Sequence, residues 1–227
     1  MRNLYFIVEG ETEEAFVKRL LVPYLYGRGL VCHIQAFTVF MSGGGHGHNN
    51  TEHFLNTITP VLYYAGEPVI TSLLDFFRFP RKQPAFAACA AHATAAAQAA
   101  CLQTALFEAV QHIRPYPRFI PYLQLHEYEA YLFSDPTCFR HFYDQHDQQI
   151  AALQAIADAH ESPELIDGGS HTAPSKRIIA ELPDYDGAKS VVGPQVAELI
   201  GLETIRGRCR HFDEWVRKLE QLGGVSE

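Results

Sequence analysis

Acidic side chains follow three separate apolar runs of this 227-residue sequence, at the points where strands would end. The acids are Glu9, Asp75, Glu127 and Glu129. Carboxylates from separate strand ends can converge on one divalent cation, because Mg²⁺ and Mn²⁺ prefer carboxylate and water oxygens as ligands. Beside a phosphate, such an ion can activate a water molecule and neutralise developing charge. The acids together therefore predict metal-assisted phosphate hydrolysis, whereas any one of them alone is more simply a solvated residue.

The geometry of the last two acids depends on the backbone that carries them. On a helix, Glu127 and Glu129 would lie about 200° apart and only one could face the site, whereas on an extended segment they would share a face. We favour Glu129 as the inward residue. Near the first acid, Glu13 is expected as an auxiliary ligand one turn into a helix, whereas Glu11 is read as a charge that favours the helix N-terminus.

The elements that must position these acids follow from the apolar pattern. The continuous run at residues 4–8 is typical of a strand buried on both faces, and Thr12 is the expected N-cap of the helix that follows. Further strands are predicted at residues 33–40, 68–77 and 118–125, and helices at residues 51–64, 126–133, 147–160 and 195–221. The alternation predicts an α/β fold with a central, mainly parallel sheet, in which ligands bind beyond the carboxyl ends of the strands.

The chain divides into two predicted regions. Residues 1–140 are expected to form the α/β domain, with an Ala-rich helical insertion at residues 80–112, and residues 141–227 a helical region packed on the same domain. Hydrophobic residues make up 47% and charged residues 19%, which excludes disordered, collagen-like and coiled-coil classes.

The net charge of −8 means that any contact with nucleic acid needs a local basic patch or a bridging metal ion. Lys176 and Arg177 are the candidates for substrate binding. They lie near a predicted helix start with Thr172 as cap and Pro174 in the first turn, and helix N-termini accept anions. A capped surface helix without a ligand explains the same residues equally well.

The five cysteines are odd in number, widely spaced and without a C-x-x-C pair, so reduced thiols in a cytoplasmic protein are expected. No signal peptide and no uninterrupted apolar stretch of membrane-spanning length is present, so no membrane partner is expected.

Five segments together carry a resemblance to a known family. They are VEGETEEAFV at 8–17, LLDFF at 73–77, QLHEYEAYLFSD at 124–135, TAPSKRI at 172–178 and GLETIRGRCRHFDEWVRKLE at 201–220. The chain resembles an uncharacterised prokaryotic family, a domain of unknown function grouped with the TOPRIM nuclease and primase domains. The resemblance implies a TOPRIM-like fold, a catalytic Glu9, a metal-binding Asp75 and Mg²⁺-dependent action on nucleic-acid phosphodiesters.

One position departs from the TOPRIM pattern. The usual TOPRIM motif is Asp-x-Asp, and this chain has a phenylalanine, Phe77, in place of the second aspartate. Glu127 or Glu129 would therefore have to supply the missing carboxylate. We expect Asp75 and Glu129 to hold the ion, with Glu9 as ligand or general base. The leading function is a Mg²⁺- or Mn²⁺-dependent nuclease on DNA or RNA, with phage defence as its setting by analogy. The alternative, which Phe77 favours, is a catalytically silent interaction module that partners an ATPase.

Overall fold

A parallel β-sheet forms the centre of the chain. The computed structural model describes residues 3–41, 45–46, 51–76, 84–166, 169 and 171–223. The strands are β1 (Leu4–Val8), β2 (Ile34–Thr38), β3 (Phe40–Met41), β4 (Gly45–His46), β5 (Val69–Asp75), β6 (Phe119–Ile120) and β7 (Leu123–Gln124). The five-stranded sheet has the order β2-β1-β5-β6, with β7 also paired to β5, and all of its pairings are parallel. Strands β3 and β4 form a separate antiparallel pair.

Helices connect the strands and make up the C-terminal region. They are α1 (Glu11–Phe16), α2 (Val22–Gly27), α3 (Thr51–Leu62), α4 (Pro84–Cys89), α5 (Ala95–Ile113), α6 (Asp147–Asp158), α7 (Pro174–Glu181), α8 (Lys189–Ile200), α9 (Leu202–Arg208) and α10 (Arg210–Glu220). A π-helical turn, Val17–Leu21, joins α1 to α2. Shorter 3₁₀ segments occupy Tyr128–Ser134, Pro136–His141, Pro163–Leu165 and Pro183–Tyr185. The α/β fold with a central parallel sheet and C-terminal helices is therefore confirmed.

Strand β1 is buried on both faces, and its side chains alternate between two hydrophobic clusters. Phe6 and Val8 pack in the cluster that contains α1 and the C-terminal helices, including Trp215 of α10. Tyr5 and Ile7 pack in the cluster formed with α3 and α5. Full burial of such a side chain is worth about 1.5–3 kcal/mol. Removing either helical layer would therefore expose one face of the central strand.

The predicted fourth strand is wrong as a single element, because Pro121 interrupts it. Proline has no N–H to donate, so the ladder stops after β6 and resumes at β7. In the gap, the Ser72 hydroxyl takes over the pairing: it donates to the Tyr122 carbonyl at 2.9 Å and accepts from the Tyr122 N–H at 2.8 Å. The two short strands nevertheless keep the chain in register up to the acids that follow β7.

Several element boundaries also differ from the prediction. The segment predicted as a helix at 126–133 is a 3₁₀ segment, and the predicted helix at 195–221 is divided among α8, α9 and α10. The Ala-rich insertion contains two helices, because Thr94 caps α5 by accepting the Ala97 N–H at 3.2 Å. The N-cap of α1 is Gly10 rather than Thr12.

The helical insertion carries a disulfide between Cys89 and Cys101. The expectation of reduced thiols is therefore wrong for this pair. Their helices, α4 and α5, pack against each other within the cluster on the α3 side of the sheet. Cys32, Cys138 and Cys209 are free thiols. In the described part of the chain, none of the helices has the length and apolar character needed to cross a membrane.

Candidate acidic site

The ends of β1 and β5 bring the first two acids together. The Asp75 backbone N–H donates to Oε2 of Glu9 at 3.1 Å, and the Glu9 N–H donates to the Leu73 carbonyl at 3.2 Å. Both acids are buried, each with 5% of its surface exposed. Since β1 and β5 are parallel neighbours, their carboxyl ends lie at the same edge of the sheet. This pairing brings together two acids that are 66 residues apart in the sequence.

Glu13 lies beside them at the start of α1. Its Oε2 accepts the Gly10 N–H at 2.9 Å, so its carboxylate turns back over the first turn of the helix towards the loop after β1. This arrangement is the glutamate half of a capping box. Glu13 is buried as well, which is unusual for a carboxylate on a first helical turn. Glu11, by contrast, is exposed, as its reading as a helix-terminus charge requires.

Glu127 and Glu129 enter the site from the segment after β7. Glu127 has an extended backbone, with φ −129° and ψ 160°, and Glu129 lies in the first turn of the 3₁₀ segment that Glu127 caps. Because the backbone changes conformation between them, the argument that only one of the two can be inward does not apply. Both are buried.

The N-terminus of α7 is held by one of these acids. The Ser175 N–H donates to Oε2 of Glu127 at 3.0 Å, so the anion at this helix N-terminus is the Glu127 carboxylate. The N-cap is Ala173, and the prediction of Thr172 as cap is wrong. Lys176 is exposed, whereas Arg177 is half-buried and donates from Nε to the Thr172 carbonyl at 2.7 Å. Of the two predicted substrate-binding cations, Lys176 thus has the freer side chain.

Electrostatics joins the five acids into one group. Burial raises the pKa of Asp75 well above its usual range, and the carboxylates of Glu9, Glu13, Glu129 and Glu127 raise it further. Burial also raises the pKa of Glu129 to about 7, with smaller contributions from Glu127 and Glu13, and Lys189 acts in the opposite direction. These groups are mutually repulsive when ionised, so the site favours either protons or a cation.

A family model described as a domain of unknown function, DUF4276, matches residues 8–220. The chain belongs to this family. The match begins just before Glu9 and includes all five acids, so the acidic site lies within the DUF4276 domain. No curated protein and no solved structure matches the chain.

The donor chemistry of the DUF4276 site fits a hard divalent cation, since five carboxylates supply the oxygen ligands that such ions prefer. Their arrangement is not preformed: among the residues that the structure describes, no three His, Cys, Asp or Glu side chains are placed so that they could hold a metal ion. Binding would therefore require the carboxylates to draw together. Phe77, which replaces the second aspartate of the Asp-x-Asp pattern, lies outside the described residues.

Three further residues of the DUF4276 domain contact this region and were not predicted as part of a site. The hydroxyls of Tyr128 and Tyr185 lie within electrostatic range of the acids, and Gly193 of α8 lies against the Tyr185 hydroxyl and the Tyr128 ring. Tyr128 lies between two glutamates in the sequence, and that position was a usable signal. Tyr185 and Gly193 come from distant segments whose local pattern carries no such signal.

Proposed function

We propose that this DUF4276 domain is a Mg²⁺- or Mn²⁺-dependent phosphodiesterase that acts on nucleic acid, with a site similar to that of TOPRIM nucleases. The observation that supports it is the group of five buried carboxylates beyond the carboxyl ends of β1, β5 and β7. Acids with raised pKa values, such as Asp75 and Glu129, concentrate at functional sites. Ligand sites of open parallel sheets also lie at this edge.

The group is energetically unfavourable at Asp75, where burial and four neighbouring carboxylates all oppose the ionised form. Burying an ionised carboxylate without a compensating partner costs several kcal/mol, and like charges add to that cost. Asp75 meets four other carboxylates, whereas a stabilising buried acid would face cations or several N–H donors. A bound divalent cation would remove the repulsion, and it would thereby turn an unfavourable cluster into a favourable one.

Individual roles follow from the contacts. Asp75 and Glu129, whose pKa values are raised by burial, would hold the metal. Glu13 and Glu127 would be the further acids around it. Glu9, fixed by the Asp75 N–H, would be a ligand or the base that takes the proton of the attacking water. The metal supplies charge neutralisation at the phosphate and a water of lowered pKa. Exposed Lys176 and half-buried Arg177 would contribute positive charge to a phosphate of the substrate.

A second candidate is a catalytically silent module that binds an ATPase partner. The observation that favours it is the arrangement of the acids, since no three potential ligands in the described ranges are placed to hold a metal. On this alternative the carboxylates would stay protonated or would meet basic groups of the partner. A role as a phage-defence effector, whether as nuclease or as module, is proposed from the family resemblance alone.

The test combines metal binding with cleavage. A thermal-shift titration of the metal-free protein with Mg²⁺ and Mn²⁺ should raise Tm, because an ion that binds only the native state stabilises by about 2.7 kcal/mol at a hundredfold excess over Kd. The same samples are incubated with labelled single- and double-stranded DNA and RNA. The matched control is Glu164→Gln, which alters a buried carboxylate outside the acidic site that accepts the backbone N–H groups of His211 and Phe212. If the protein shows no thermal shift and no cleavage at millimolar metal, the interaction module is favoured.

A further inference from the structure

Two tyrosine hydroxyls beside the acidic site are buried and have no hydrogen-bond partner among the described residues. They belong to Tyr128, which lies between Glu127 and Glu129, and to Tyr185, which ends a 3₁₀ turn 57 residues later in the chain. Tyr128 is 2% exposed and Tyr185 0%. A buried donor without an acceptor destabilises the native state. Two such donors at one place therefore require an explanation, and a role in binding or catalysis is one of the usual ones.

Both hydroxyls lie within electrostatic range of the carboxylates. Burial raises the pKa of Tyr128 well above its usual range, and Glu13 and Glu129 are the charged groups that raise it further. For Tyr185 the corresponding carboxylates are those of Glu129 and Glu127. A phenol is protonated at neutral pH and can donate, whereas an ionised carboxylate can only accept. The region thus combines two unpartnered hydrogen-bond donors with a group of acceptors.

The packing fixes the two rings in place. The Tyr128 ring lies 5.4 Å from that of Phe16 in an edge-to-face arrangement, and the Tyr185 ring lies 5.8 Å from that of Phe139 in the same way. These contacts hold both hydroxyls without occupying them. Reorientation towards another protein acceptor would require the aromatic contacts to break.

Gly193 of α8 provides the space that the Tyr185 hydroxyl occupies. A Cβ at this position would lie 2.9 Å from Oη of Tyr185 and 3.4 Å from Cε1 of Tyr128. The first distance is shorter than a real Cβ contact, so an alanine would push the hydroxyl aside. Glycine at position 193 therefore leaves room for the Tyr185 hydroxyl, although this hydroxyl makes no hydrogen bond to the described residues.

We propose that Tyr128 and Tyr185 form the donor side of the acidic site and bind one oxygen atom of the reacting groups there. The inference rests on the proposed function and adds the contacts that the carboxylates cannot make. The bound oxygen belongs either to the phosphate group of the nucleic-acid backbone or to the water that attacks it. Carboxylates alone would repel a phosphoryl oxygen, and two phenol donors offset that repulsion with hydrogen bonds.

In the proposed hydrolysis of the phosphodiester, the two phenols neither gain nor lose a proton. The water oxygen forms a bond to phosphorus, and the bond from phosphorus to the leaving oxygen breaks with its electron pair. One proton of the water passes to a carboxylate of the site, and the leaving oxygen takes up a proton from solvent. Tyr128 and Tyr185 only donate hydrogen bonds throughout, so removing their oxygens should affect binding or orientation and leave the proton balance unchanged.

The test uses Tyr128→Phe and Tyr185→Phe, which keep the rings and remove the hydroxyls. Metal-free Tm should rise by about 2–4 °C in each, because an unsatisfied buried donor is removed. The control is Tyr131→Phe, whose hydroxyl lies in the same aromatic group but donates to Gln124 and contacts the Tyr122 hydroxyl. Its Tm should fall, and its ligand response should equal that of the wild type.

Two ligand measurements are made on the same proteins. The first is the additional thermal shift that inorganic phosphate produces in the presence of Mn²⁺. The second is the hydrolysis of bis(p-nitrophenyl) phosphate with Mn²⁺, for which we expect at least a tenfold loss of kcat/KM in both phenylalanine variants and in Gly193→Ala. A rise in KM together with a lost phosphate shift would assign the oxygen to the phosphate group. A fall in kcat at unchanged KM would assign it to the water.

Equal hydrolysis by the wild type and both phenylalanine variants would overturn the inference while leaving the proposed function intact. If the wild type does not hydrolyse the ester but shows a phosphate shift that the variants lose, the hydroxyl site stands and the nuclease activity does not. If the wild type shows neither response, the hydroxyl site is refuted together with the metal site.

Discussion

The most direct consequence of the acidic site concerns Glu129 and the stability of the metal-free protein. Burial and two neighbouring carboxylates raise the pKa of Glu129 from 4.5 to about 7. Ionising this side chain in the native state therefore costs about 3 kcal/mol more than in the unfolded chain, since a tenfold change in proton affinity is worth about 1.4 kcal/mol. Glu129→Gln keeps the shape of the side chain and removes the charge, so it should recover up to that amount.

The sign and the pH window follow from the same shift. Because the native-state pKa of Glu129 is raised, the stability that its protonation gives the wild type is fully present below pH 4.5. This contribution is lost as the pH rises through about 7. At pH 8 the variant should be more stable than the wild type by up to about 3 kcal/mol, or about 6–12 °C in Tm for a chain of this size. At pH 5 the difference should fall below about 1 kcal/mol, because Glu129 is then mostly protonated in the native wild type.

The assay is urea unfolding of both proteins with EDTA at pH 5 and pH 8, with Glu108→Gln as the control because Glu108 is exposed on α5. Adding Mn²⁺ at pH 8 should raise the stability of the wild type and leave Glu129→Gln nearly unchanged. A Glu129→Gln variant that is less stable than the wild type at pH 8 would refute the reasoning. It would show that Glu129 is held by favourable contacts rather than by packing that opposes its charge.

Three further predictions concern the same structure. Asp75→Asn should fold and lose the metal-dependent thermal shift, because an amide brings no charge to the ion; a full shift would place the ion elsewhere. In a double-mutant cycle on metal-free stability, Glu9→Gln and Glu129→Gln should each stabilise and should couple to each other, whereas zero coupling would separate them into different sites. Reduction of the Cys89–Cys101 disulfide should destabilise the helical insertion by up to about 3 kcal/mol, measured as the difference in unfolding midpoint with and without dithiothreitol, and an unchanged midpoint would contradict it.

The sheet could be predicted from the sequence because each strand pattern is local. The run at residues 4–8 is apolar at every position, and only a strand between two layers buries both of its faces. The positions of Glu9 and Asp75 follow from the same reasoning, since parallel strands place their carboxyl ends together. The pattern does not show which strands pair with each other. A parallel sheet was therefore predicted, but not that β1 and β5 are neighbours in it.

The errors have a common physical origin in contacts that local patterns do not describe. The predicted fourth strand missed the break at Pro121, although proline in a strand is a local signal that should have counted against it. The disulfide depends on how α4 and α5 pack, and cysteine spacing alone does not determine that. Gly193 reaches the acidic site through the packing of α8 against α1, and Tyr185 lies in a separate 3₁₀ turn before α8.

A comparison with Glu164 shows why the acidic site is more than a collection of buried acids. Glu164 is also buried and its pKa also rises to about 7, but the backbone N–H groups of His211 and Phe212 bind its carboxylate and act in the opposite direction. Its position at the N-terminus of α10 explains its burial without any ligand. Asp75 has the reverse environment, because burial and four like charges all raise its pKa. A raised pKa by itself therefore does not identify a site; the convergence of four like charges on Asp75 is what distinguishes it from Glu164.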